Sequence, residues 1–312
     1  MSGTIASPLL ISVFSLVVLA MLVIDLGLFH RRPHEVRFRE AIAWSTVWVA
    51  VSLLFAGGIH YRFGTGPSLE FLAGYIIEKA LSVDNIFVFV VLFAAFRVPA
   101  KYQHRVLFWG VLGALVMRAI FIVAGAALIQ RFHWVIYGFG ALLVITAVKL
   151  IMAGDDPPHP ERNPLFRAFR RIVPSVGDYD GSNFTTVRNG RRYATPMLMV
   201  LVAIETSDIV FAVDSIPAVF AVTSDPFIVY SSNVFAILGL RAMYFVLAGA
   251  IERFRYLKFG LAGVLAFVGT KMLIAGIYKI PITASLAVIV AILAASVAAS
   301  LIRHPGAAAN QV

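Results

Sequence analysis

Hydrophobic residues run through this chain in long blocks, not in the alternation of strands or the narrow stripe of a surface helix. Nine blocks stand out, at about 8–29, 41–61, 70–96, 106–129, 133–152, 196–222, 227–251, 258–277 and 281–302. Each approaches the roughly 20 residues that a helix needs to cross the hydrocarbon core of a bilayer. Pro8, Pro196 and Pro281 stand near block starts, where a missing N–H is tolerated. The pattern predicts an all-α polytopic membrane protein with about nine transmembrane helices, the first of them a span and not a cleaved signal peptide.

The blocks also repeat. Val83-Asp84-Asn85-Ile86 matches Val213-Asp214-Ser215-Ile216, and in both stretches another acid, Glu78 or Asp208, stands six residues earlier. Arg118-Ala-Ile-Phe matches Arg241-Ala-Met-Tyr-Phe, and Lys149-Leu-Ile-Met-Ala-Gly matches Lys271-Met-Leu-Ile-Ala-Gly. Three anchors in one order at near-equal spacing define two three-helix units. Three is odd, so the second unit enters the bilayer from the opposite side. This is an inverted repeat, an arrangement whose substrate site lies near mid-membrane between the units. The organisation expected is two N-terminal helices and a basic loop over 1–69, repeat 1 over 70–152, a cytoplasmic linker over 153–195, repeat 2 over 196–277, and a last helix and tail over 278–312. The linker reads as a tether, partly ordered at best, with a small hairpin over Val187–Ala194 turning on Asn189-Gly190.

Charge adds orientation. The 312 residues carry a formal net charge of +10, but the basic residues sit in loops, so the excess is not a nucleic-acid footprint. Arg31, Arg32, Arg37, Arg39, Arg97, Lys101, Arg105, the seven arginines from Arg162 to Arg192, Arg253, Arg255, Lys258 and Arg303 fall on one side. Only Arg62, Arg131 and Lys279 fall on the other. The positive-inside rule then places the N-terminus outside and the C-terminus in the cytoplasm.

The candidate chemistry lies inside the spans. Glu78, Asp84, Glu205, Asp208 and Asp214 are intramembrane acids, and Lys79, Arg118, Lys149, Arg241 and Lys271 are intramembrane bases; Asp25 lies near the end of the first span. Such groups face a bundle interior or a wet cavity and pair there. Glu205 and Asp208 share a helix face, whereas Asp208 and Asp214 do not. Either the last two serve separate sub-sites, or the helix opens near Pro217 and frees carbonyl ligands. Carboxylates with Asn85 and Ser215 make an all-oxygen donor set suited to Mn²⁺, Mg²⁺ or Ca²⁺. The plainer reading is a set of structural ion pairs, with the bases as partners or gates; direct contact of Arg118 and Arg241 with an anionic substrate is the other. Asn233, with Ser231 and Ser232, reads as interhelical glue or pathway lining. Gly110-x-x-Gly113 reads as close helix packing. His60, His104 and His133 stand at span ends and read as interfacial. With no cysteine there is no disulfide or thiolate site, and no phosphate loop, nucleophile–histidine pair or nucleotide fingerprint is present. No enzymatic activity and no resident cofactor are expected.

Arg188-Asn-Gly-Arg-Arg-Tyr-Ala-Thr-Pro, Glu205-x-x-Asp208, Phe211-Ala-Val-Asp-Ser-Ile-Pro and Phe235-Ala-Ile-Leu-Gly-Leu-Arg241 resemble the TerC family, as does Glu78-Lys-Ala-Leu-Ser-Val-Asp-Asn-Ile-Phe. The resemblance spans about 20–300. It implies a bacterial inner-membrane protein of the LysE-like transporter superfamily, with links to manganese export and tellurium resistance. It also implies that Glu78, Asp84, Asn85, Glu205, Asp208 and Asp214 are the acidic motif positions. The expectation is a secondary transporter exporting a divalent cation such as Mn²⁺ in exchange for protons. The alternatives are a membrane scaffold or stress-complex component, and an exporter of a small anion or amino acid. The oligomeric state is left open.

Overall fold

A computed structural model describes residues 4–29, 38–152, 164–248 and 256–302. The helices α1 (Pro8–Phe29), α2 (Phe38–Phe63), α3 (Thr65–Ala95), α4 (Ala100–Arg131) and α5 (Val135–Met152) come first. A short helix α6 (Pro164–Ile172) and the strands β1 (Thr185–Arg188) and β2 (Arg191–Ala194) follow. Then come α7 (Pro196–Phe220), α8 (Pro226–Leu238), α9 (Leu240–Leu247), α10 (Leu257–Leu273) and α11 (Ile282–Ile302). Among the described residues each hydrophobic block overlaps a helix, the block at 227–251 being divided between α8 and α9.

Five of these helices, α2, α4, α5, α7 and most of α11, are long and apolar enough by themselves to cross a membrane. The pair α8 and α9 makes a sixth, bent by 42°. α3 is longer than most, but any stretch of it long enough to span contains Glu78 and Lys79, together with Glu70 or Asp84. α10 is 17 residues long. Asp25 lies on α1, but its side chain is outside the described residues, as are Arg31, Arg32, Arg37, Asp155, Asp156, Arg162, Arg253, Arg255 and Arg303.

Local chemistry sets the boundaries. Gly64, at φ +90°, turns the chain between α2 and α3. Asp225 caps α8, its carboxylate accepting from Phe227 N at 2.8 Å, with Pro226 in the first turn. The hairpin lies where the Asn-Gly signal puts it: Thr185 pairs with Ala194 and Arg188 with Arg191. Asn189 and Gly190 both take positive φ, 51° and 72°, as the tight hairpin turn requires.

The packing interleaves the helices of 70–152 with those of 196–277. α5 lies along α10; α3 packs on α7 and α8; α4 also packs on α7 and α8. α2 covers α3 and α9, and α11 covers α10 and α3. The α5–α10 crossing is made by glycines. A Cβ on Gly140 would stand 2.9 Å from the Gly269 carbonyl, and one on Gly269 would stand 2.8 Å from that of Gly140. Phe14, Phe55, Phe71, Phe227 and Phe235 form one aromatic cluster, with neighbouring ring centroids 4.8–6.5 Å apart.

The linker differs from its expectation. Residues 153–163 lie outside the described residues, but 164–195 are ordered against one end of the bundle. α6 buries Phe166 edge-on against Phe96 at 6.1 Å. Tyr179 donates to the Phe96 carbonyl at 2.7 Å, and Arg105 bonds Ser182. The apolar residues of α6, set among three arginines after a proline-rich approach, gave too short a pattern to be read as a packed element.

Candidate functional site: a buried arginine centre beside an acidic cavity

The charged residues separate into two adjoining groups. The first centres on Arg118, midway along α4 and 2% exposed. Its guanidinium ion-pairs with Glu78 of α3, which is fully buried. It also donates to Asp208 of α7 at 3.3 Å, to the Ser215 hydroxyl at 3.2 Å and to the Asn233 amide oxygen of α8 at 3.1 Å. Asn233 donates in turn to Glu78 at 3.0 Å, and Asn85 donates to Asp208 at 3.3 Å. One arginine thus ties α3, α4, α7 and α8 together, with one positive charge among two carboxylates. Planar five-donor geometry suits arginine to this position; lysine could not serve four partners in a plane. Among the described residues two acceptors of this centre find no donor, Asp208 Oδ2 and Asn85 Oδ1, although both residues are buried.

The second group lines a cavity of about 270 Å³ next to that centre. Asp84, Asn85, Arg118, Thr146, Lys149, Asp214 and Ser215 supply its polar wall, on α3, α4, α5 and α7. Asp214 accepts from the Thr146 hydroxyl at 2.9 Å and has Lys149 in electrostatic reach; Asp84 has Lys258 of α10 in reach. Asp84 and Asp214, the matching residues of the two acidic stretches, therefore share one cavity.

The helix that carries Asp208 and Asp214 runs unbroken through Pro217 to Phe220. Of the two expectations, separate faces holds and the opening does not: Asp208 meets Arg118, and Asp214 meets Thr146. The real interruption is in the next span, at Gly239 between α8 and α9.

Other predicted residues lie apart from both groups. Glu205 is half-buried beside Asp208, in a notch of α4 that exists because residue 113 is glycine; a Cβ there would overlap the carboxylate. Gly113 thus accommodates an acid, beyond the close packing read from the sequence. Lys79 turns away from Glu78. It donates to the Ala236 carbonyl at 3.3 Å and fills the space that a side chain at Gly239 would need. Lys271 lies within reach of Glu70, not of the cavity acids. Arg241 is half-buried on α9. Among the described residues no three histidine or acidic side chains stand close enough together to hold a metal by themselves.

Sequence reasoning missed Thr146 and Glu70. Thr146 stands three residues before Lys149, on the same helix face, and that spacing was its only signal. Glu70 looked like a span boundary. It accepts a hydrogen bond from Thr223, whose hydroxyl accepts from the backbone of Asp225.

These features define a class: an all-α, multi-pass membrane protein with an ionised core. A family profile described as the integral membrane protein TerC family matches residues 63–307, and the chain belongs to that family. Among its relatives is an uncharacterized membrane protein, STKORF319, of Myxococcus xanthus, 57% identical over 96% of this chain and 94% of the relative. Another is the putative membrane-bound redox modulator Alx of Escherichia coli K12, 50% identical over 93% of this chain and 94% of that one. An uncharacterized membrane protein of Rickettsia bellii is 40% identical over 93% of this chain and 96% of its own length. No solved structure matches the chain.

Proposed function

We propose that this protein is a secondary transporter of the bacterial inner membrane that exports a divalent cation, with Mn²⁺ the best-fitting substrate, in exchange for protons. The observation that carries this reading is the meeting of Asp84 and Asp214 in one cavity. The cavity and the centre bonded to it hold four carboxylates, Asp84, Asp214, Glu78 and Asp208, against Arg118 and Lys149, with Lys258 in reach of Asp84. A bound cation offsets that excess of negative charge. The free Oδ1 of Asn85 and the hydroxyls of Thr146 and Ser215 extend the two carboxylates to an oxygen donor set, and water completes it. Glu78 and Asp208 then act as partners of Arg118 and Glu205 as a neighbouring acid, so the ligand set is narrower than the full list of acids.

Proton exchange follows from the same groups. Protonating Asp84 or Asp214 removes a negative charge from the cation's surroundings and weakens binding, so each ion displaces the other. A nine-span inverted repeat would supply the access change. The packing supports it: exchanging the units maps α3 on α8 onto α7 on α4, and maps α5–α10 onto itself. In this reading the N-terminus is outside and the C-terminus is cytoplasmic.

The test is Mn²⁺ flux into proteoliposomes, with and without a pH gradient, for the unaltered chain, Asp84→Asn and Asp214→Asn. Flux driven by the gradient and lost in both variants is the expected result. Flux at the unaltered rate in both variants would remove these acids from the mechanism.

The scaffold reading draws on Arg118, whose network of four partners is itself a helix-locking device. It predicts that exchanging Glu78 and Arg118 preserves activity. The anion and amino-acid reading is weakened because Arg118 is already engaged by two carboxylates. Several relatives are named redox modulators. These 312 residues contain no cysteine, so thiol–disulfide chemistry has no group here to act through.

A further inference from the structure

We infer a phospholipid-binding site between α1 and α2. A second cavity, of about 460 Å³, lies between the first turns of α1 and the last turns of α2. Leu10, Phe55, Ile59 and Phe227 give it apolar walls, and Arg62 stands among its lining residues.

Two structural facts keep this slot open. The chain ahead of α1 is tied to α8: the Asp225 carboxylate accepts from the Thr4 hydroxyl at 2.8 Å and from Ile5 N at 2.6 Å. α1 is therefore held to the cap of α8 at the level where α2 ends. Gly58, on the α2 wall, faces empty space, since a Cβ there would meet nothing within 4 Å.

The lining names the ligand. A largely apolar slot between membrane-embedded helices is filled by hydrocarbon, because beyond Ser7 and Arg62 its side chains offer water no polar partner. Arg62 lies in the last turn of α2 with His60, and Tyr61 between them is 93% exposed. That is the residue set of a membrane–water interface, the depth of lipid phosphates. The Arg62 guanidinium lies over the Phe63 ring at 5.5 Å and is in no ion pair among the described residues. Its forked donors match a phosphodiester, and the slot runs from it towards the bundle, as an acyl chain does from its headgroup. The occupant is one glycerophospholipid, its phosphate on Arg62 and one chain in the slot. An anionic headgroup is favoured, because among the described residues no carboxylate lines the cavity to receive a lipid amine.

The test is native mass spectrometry of the purified full chain titrated with dioleoylphosphatidylglycerol or with dioleoylglycerol, which lacks the phosphate. The unaltered chain is expected to retain one phosphatidylglycerol at least fivefold more tightly than the diacylglycerol. Arg62→Gln is expected to erase that preference. Gly58→Leu, which fills the slot, is expected to lose both lipids, while Gly58→Ala keeps them. Arg62→Gln changes an exposed side chain, so it decides the matter even where Gly58→Leu does not fold. Equal retention of the two lipids by the unaltered chain, or an unchanged preference in Arg62→Gln, overturns the site. Neither result bears on Mn²⁺ flux, so this inference stands or falls apart from the transport proposal.

Discussion

At the scale of single residues, Arg118 governs the interior. Removing one partner of a buried ion pair leaves an uncompensated charge in a poor solvent for it, a loss of about 3–5 kcal/mol. Arg118→Met leaves Glu78 and Asp208 both exposed to that loss. It is expected to lower the stability of the detergent-solubilised protein by about that amount in denaturant titrations. Adding Glu78→Gln and Asp208→Asn to the same chain should recover much of it, because the unpaired charges are gone. No recovery in the triple variant would mean that Arg118 acts through packing and not through charge. Arg118→Lys is expected to fall between, since an ammonium cannot hold Glu78, Asp208, Ser215 and Asn233 together.

At the scale of elements, glycines decide how closely helices approach. The backbones of α5 and α10 touch at Gly140 and Gly269, and a carbonyl oxygen cannot yield as a flexible side chain does. Gly269→Val should therefore part the two helices and cost about 1–3 kcal/mol, read as a lower melting temperature. α4 shows the other use of glycine. Gly113→Leu is expected to drive Glu205 out of its notch and lower Mn²⁺ flux, while Ala114→Gly on the same helix leaves flux in place. Equal flux from Gly113→Leu would show that the seat of Glu205 does not matter to transport. The bend at Gly239 has a lysine packed into it, with Lys79 on the carbonyl of Ala236 near the C-terminal end of α8. A cation there suits the negative end of the helix dipole. Gly239→Ala puts a methyl where the ammonium sits and should destabilise more than a helix-propensity change alone, which would favour alanine.

At the scale of the whole molecule, the helices of 70–152 are interleaved with those of 196–277 and not side by side with them. α3 packs on α7 and α8 and α4 packs on the same two, so the centre at Arg118 draws on helices from both halves of the chain. The absence of cysteine makes the proposed orientation directly measurable. With single cysteines introduced, Lys279→Cys should react with a membrane-impermeant maleimide on intact cells. Asp178→Cys, which is exposed beside the hairpin, should react only after permeabilisation. Labelling of Asp178→Cys in intact cells would reverse the orientation.

Hydropathy alone marked the long apolar helices, though not α6, because burying backbone in lipid demands long apolar helices and leaves a coarse signal. The Asn-Gly turn, the paired acidic stretches and the absence of thiol chemistry were equally legible, since each rests on local residue identity. Contacts between distant segments were not. Which acid meets Arg118 and which meets Thr146, and that α7 stays whole while α8 and α9 divide, depend on how helices far apart in sequence rotate and press together. So do the seat of Glu205 against Gly113 and the docking of α6 on Phe96. A six-residue spacing fixes an angle on one helix, but only its neighbours decide what stands at that angle.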